Sequence, residues 1–153
     1  MSGFLLDTNV VSMLAPSNSE AQVGVLTWLD RVDADGGLFL SVVSIHEIEK
    51  AIALLDLKGA TAKTAGLKAW LSGLGSTYDD TIIGFDAHAA AIGGRLEARA
   101  LAAGHDPGMS DAVIAGIASA HELVIVTRNT KRFLAFGIAV ISPDAAAAGE
   151  GPA

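Results

Sequence analysis

Apolar positions along this chain follow two alternating patterns. Short, continuous runs rich in Val, Ile and Leu occur at Phe4–Leu6, Leu38–Val43, Thr81–Ile83, Leu123–Thr127 and Ile138–Ile141. Runs of this kind read as strands covered on both faces, with Thr81–Ile83 the weakest. Between them the apolar residues recur every three or four positions. Val25, Leu26, Leu29 and Val32 mark a helix over Val23–Val32, and Ile45, Ile48, Ile52 and Leu55 mark one over Ile45–Leu55. Thr61–Gly73, Ala87–Ala103 and Asp111–Ala120 complete the helical set. Strands alternating with helices predict an α/β sandwich around a mainly parallel sheet. In such sheets ligands bind beyond the carboxyl ends of the strands.

Composition narrows the picture without naming a chemistry. A chain of 153 residues, 51% of them hydrophobic, is long enough for one domain with a substantial core. No apolar run reaches the ~18 residues that span a bilayer, and the opening MSGFLLDTN lacks the basic start of a signal peptide, so a cytoplasmic protein with no membrane segment is expected. The absence of cysteine excludes disulfides, thiolate nucleophiles and zinc–cysteine sites. A net charge of −7 argues against a protein that coats nucleic acid, but not against an enzyme that grips it locally. The small-residue stretch Asp144–Ala153 is expected to be a flexible tail.

The candidate chemistry lies where strands end. Asp7 follows the first strand. Glu47 follows the second, although Ser44 and Glu47 also match the S-x-x-E capping box, with Ser44 as the N-cap. Asp111 follows Ser110, a natural N-cap, and opens a helix so apolar that it must be buried. Thr127, Arg128 and Asn129 close the fourth strand. Each has an ordinary capping or turn explanation. Together they place three carboxylates around one sheet edge. Held ~5 Å apart, they repel by roughly 3 kcal/mol per pair at an effective dielectric of ~20, a cost that a bound cation relieves. Oxygen donors alone point to Mg²⁺ or Mn²⁺. HEIEK lacks the second His of a zinc-protease helix, because Lys50 stands there. His88, His105 and His121 are scattered, and surface or cap roles are expected for them.

The blocks LLDTNVVS, SVVSIHEIEKAI, MSDAVIAGIASAHELVIVTRNTKRF and GIAVISP, in this order, resemble the four blocks of a PIN domain. The match is best with the VapC/FitB group of ribonuclease toxins and plasmid-stability proteins. The resemblance implies a three-layer α/β/α sandwich over residues 1–143, with 144–153 as the tail. It implies a Mg²⁺- or Mn²⁺-dependent endoribonuclease acting on RNA, a homodimer, and a small antitoxin partner. It assigns Asp7, Glu47 and Asp111 to the metal, with Thr8, Asn9, Ser44 and Thr127 in support. Asn129 stands where the family places a fourth acid, and Arg132 stands at a second such place. Asn129 is therefore expected as a weaker, uncharged ligand, and Arg128, Lys131 and Arg132 as contacts for RNA phosphates. Two alternatives accompany this reading. One is a PIN-like protein that only binds RNA or its partner. The other is a haloacid-dehalogenase-like phosphatase, which needs a second acid where Asn9 stands.

Overall fold

The structure, a computed structural model, describes residues 3–16 and 22–153. Among the described residues five strands, all parallel, form one sheet: β1 Gly3–Leu6, β2 Leu38–Ser41, β3 Ile82–Ile83, β4 Leu123–Val126 and β5 Val140–Ile141, in the order β3-β2-β1-β4-β5. The described helices are α1 Thr8–Val11, α2 Val23–Ala34, α3 Val42–Leu57, α4 Thr61–Thr77, α5 Ala87–Ala102, α6 Met109–Ala120, α7 Thr130–Leu134 and α8 Pro143–Ala147.

Strand side chains alternate between two separate cores. Leu6, Leu38, Leu40, Val126 and Ile141 join α2, α3 and α4 on one face. Leu5, Ile125 and Val140 join α5, α6 and Phe133 on the other. Both faces of the strands are apolar because both are covered, and the result is the expected α/β/α sandwich. On the second face α5 and α6 approach unusually closely. A Cβ on Gly116 would lie 2.5 Å from the Ala89 carbonyl oxygen and 2.9 Å from the Gly93 Cα, so only glycine permits this contact.

Three departures from the sequence reading bear on the site and the core. Strand β2 stops at Ser41, and Val42–Val43 are helical, because the Ser41 side chain accepts the Ser44 N–H at 3.3 Å and caps α3 there. Helix α6 starts at Met109 behind Gly108, which places Asp111 in its first turn, two residues further in than expected. The small-residue tail, expected to be flexible, contains α8. Ser142 caps that helix by accepting the Ala145 N–H at 3.1 Å, and Ala146 is buried in the core shared with α2. No helix among the described residues is long and apolar enough to cross a membrane.

Candidate active site

The strand order changes direction beside β1. The chain passes from β1 to β2 on one side and later returns to β4 on the other, which opens a crevice at the carboxyl ends of β1 and β4. The register pairs Leu6 with Val126, so the next residues, Asp7 and Thr127, face each other across that crevice. Both are buried. The Thr127 hydroxyl donates to Asp7 Oδ2 at 2.8 Å, while Asp7 Oδ1 accepts the Thr8 N–H at 2.8 Å and caps α1. Asn9 ties the same corner from outside. Its Nδ2 approaches the Thr127 Oγ1 at 3.4 Å, and its Oδ1 accepts the Arg128 N–H at 3.2 Å.

Glu47 enters from α3. With Ser41 as the cap, Glu47 lies in the second turn, so the capping box predicted between Ser44 and Glu47 does not form. The carboxylate is free to face α1 instead, and the Thr8 hydroxyl donates to its Oε1 at 2.7 Å. Thr8 has one hydroxyl hydrogen, so in its 3.0 Å contact with buried Ser44 the Ser44 hydroxyl is the donor. A chain of short side chains thus runs from Ser44 through Thr8 to Glu47, with the Thr8 backbone bound to Asp7.

Asp111 enters from the opposite layer. Arg132, on α7, donates from Nε to Asp111 Oδ2 at 3.0 Å and from Nη2 to Oδ1 at 2.8 Å. The same Nη2 reaches Asp7 Oδ2 at 3.2 Å. One nitrogen shared by two carboxylates keeps them within a few ångströms of each other. Arg132 was expected to face RNA; here it binds two of the candidate ligands. Lys131 lies beside it, and both line a cavity of ≈ 310 Å³ with Asp111 and His105. Spacing gave no sign that His105 would lie here. Asn129 is exposed at the start of α7, and its backbone N–H donates to Thr127 Oγ1 at 3.1 Å. Arg95 and Arg99 line a separate cavity with Ser119.

Electrostatics distinguish these groups. Burial raises the Asp7 pKa, against the opposing pull of the Thr127 hydrogen bond, the Arg132 charge and the Thr8 N–H, and the nearby Asp111 charge adds to the rise. For Arg132, burial works against the charged form. The hydrogen bond to Asp111 and the fields of Asp7, Asp111 and Glu47 outweigh it, so the pKa rises. Asp7 and Asp111 bind the guanidinium directly, whereas the Glu47 charge reaches it only as the weakest of these fields. Among the described residues, no three acidic or histidine side chains stand close enough to enclose a metal ion as they are placed. The donor set of carboxylates and hydroxyls nevertheless suits a hard divalent cation, and the positive charge between Asp7 and Asp111 is that of Arg132.

The PIN domain family model matches residues 4–138. The chain is 32% identical over 139 residues to Toxin FitB of Neisseria gonorrhoeae, covering 91% of this chain and 96% of that protein. It is 30% identical over 140 residues to the VapC ribonuclease Y4jK of Sinorhizobium fredii, with the same coverage. The crystal structure of FitAcB from Neisseria gonorrhoeae superimposes with a TM-score of 0.79 at 32% identity, covering 92% of this chain and 97% of that one.

Proposed function

The chain belongs to the PIN domain family, and from that premise we propose that it is a divalent-metal-dependent endoribonuclease, the toxin of a toxin–antitoxin pair. The observation that carries this reading is the pairing of Asp7 and Asp111 on one guanidinium at the β1/β4 crevice, with Glu47 tied to the same corner through Thr8. The similarity to a protein named as a VapC ribonuclease and to one named as a toxin supports it. The haloacid-dehalogenase alternative falls with the family assignment. Asn9, where that chemistry needs an acid, spends its amide on Thr127 and the Arg128 N–H.

In this reading Asp7, Glu47 and Asp111 hold Mg²⁺ or Mn²⁺. Thr127 and the Thr8 N–H fix the two oxygens of Asp7, and the Thr8 hydroxyl, itself held by Ser44, fixes Glu47. When bound, the cation supplies Lewis acidity for hydrolysis of a phosphodiester. Lys131 and Arg128 flank the crevice and attract the phosphates that the −7 net charge repels. Asn129 adds at most a neutral ligand from the rim. The apolar cavity of ≈ 190 Å³ from Thr8 and Glu47 to Leu67 and Trp70 offers a seat for an antitoxin segment beside the acids. Exposed Phe85 and Met109, on the rim of a cavity between α5 and α6, support a homodimer, which light scattering at micromolar concentration tests. A cytoplasmic location fits this role.

The deciding experiment is cleavage of single-stranded RNA with Mg²⁺ or Mn²⁺, with Asp7→Asn as control. Metal-dependent cleavage by the wild type alone is expected. A second reading, a PIN protein that binds RNA or its partner without cleaving, draws on the neutral Asn129 and on the guanidinium among the acids. RNA binding without cleavage in either metal would favour it.

A further inference from the structure

We infer that Arg132 is a resident counter-ion of this site, which a divalent cation must displace before it can bridge Asp7 and Asp111. The inference rests on the proposed metal-binding role of these acids. The guanidinium engages both oxygens of Asp111, at 3.0 and 2.8 Å, and Asp7 Oδ2 at 3.2 Å. A cation bridging the two residues needs oxygens from the same set at ~2.0–2.6 Å. The guanidinium nitrogens already lie along those directions, and a second positive centre beside them is repelled. The two cations therefore compete for one place.

The surroundings permit the exchange. The Arg132 side chain is 40% exposed on a helix of five residues, so it is held by its hydrogen bonds rather than by packing. It also approaches the Phe133 ring, 5.2 Å from the centroid. The ≈ 310 Å³ cavity that it lines with His105 and Lys131 gives the guanidinium somewhere to go. The carboxylates themselves stay in place when it leaves. Asp7 keeps its bonds from Thr127 and Thr8, and Asp111 keeps its position in the first turn of the buried helix α6. A purely structural tie between α6 and α7 makes the opposite prediction, because removing Arg132 would loosen Asp111 and weaken metal binding.

The test is Mn²⁺ binding to the full chain by isothermal titration calorimetry, with melting curves in chelator as a check on folding. The proteins are the wild type, Arg132→Gln, Arg132→Lys and Asp7→Asn. Arg132→Gln is expected to bind Mn²⁺ about tenfold more tightly, the scale of a charge-assisted bidentate contact being lost from the competing state. Arg132→Lys keeps the charge without the fork and should fall between. Equal or weaker binding by both variants, with Asp7→Asn binding none, would overturn the counter-ion role alone. Mn²⁺ binding by Asp7→Asn as tight as that of the wild type would instead sink the metal-site reading beneath it.

Discussion

Asp7 and Asp111 share one guanidinium but are held by opposite means. Asp7 sits at a backbone junction, buried at 2% exposure, where the β1/β4 register and the start of α1 fill its oxygens with a buried hydroxyl and a backbone N–H. Asp111 stands in the first turn of α6 at 16% exposure, and the hydrogen bonds to its carboxylate come from one long side chain that reaches across from α7. The first half is rigid because short side chains on adjacent strand ends have few alternatives. The second is adjustable because an arginine has many rotamers and its head is in contact with water. The difference divides the labour between a carboxylate with fixed partners on the sheet and one whose counter-ion can exchange on the helices.

Breaking the rigid half should have the largest effect. Asp7→Asn is expected to reduce RNA cleavage below detection in both Mg²⁺ and Mn²⁺, measured on the same substrate as the wild type. Thr127→Val removes the donor that aims Asp7 without removing the ligand. It should lower metal affinity by roughly 10- to 100-fold, the usual range for groups that orient a ligand, as read by calorimetry.

The support beneath the adjustable half can be broken as well. Gly116→Ala places a methyl group against the Ala89 carbonyl, where backbone must move. It should destabilise the fold by about 1–3 kcal/mol, and thermal melting should show a lower Tm. A Tm equal to that of the wild type would show that α5 and α6 separate freely.

The comparison also carries a sign in pH. Burial raises the Asp7 pKa in the folded protein, so the native state binds more protons than the unfolded chain in that window. Asp7 therefore favours folding most below ~3.9, the ordinary carboxylate value, and this contribution is lost as pH rises through the folded value. With divalent ions chelated, Asp7→Asn should melt a few degrees above the wild type at neutral pH, and the gap should close in acid. A lower Tm for the variant at pH 7 would contradict the dominance of burial at this residue. The smallest effect is expected from Asn129→Asp. Its side chain is exposed and screened by water and salt, so a new charge there should tighten Mn²⁺ binding only a few-fold. Identical titration curves would remove Asn129 from the site altogether.

Much of this architecture is legible in the sequence. The continuous apolar runs marked all five strands, and the positions of Asp7 and Thr127 after β1 and β4 followed from where those runs stop. Boundaries were less secure where two local signals competed. Ser41 and Ser44 can both cap a helix, and Val42–Val43 favour a strand by propensity. The choice of Ser41 carried Glu47 out of the capping box and towards Thr8. Low complexity hid α8, because a run of alanine carries no amphipathic signal and Ala146 is buried by its neighbours rather than by its own pattern.

By itself, then, the sequence determined the alternation of strands and helices, the covered parallel sheet and the acids at its edge, because these follow from periodicity and from the ends of apolar runs. Only the tertiary structure decided that Arg132, read as a contact for RNA, turns inward to Asp7 and Asp111, and that His105 joins Lys131 beside them. Those placements depend on how α5, α6 and α7 pack across the sheet. Spacing along the chain carries no information about the direction in which a long, charged side chain finds its partner.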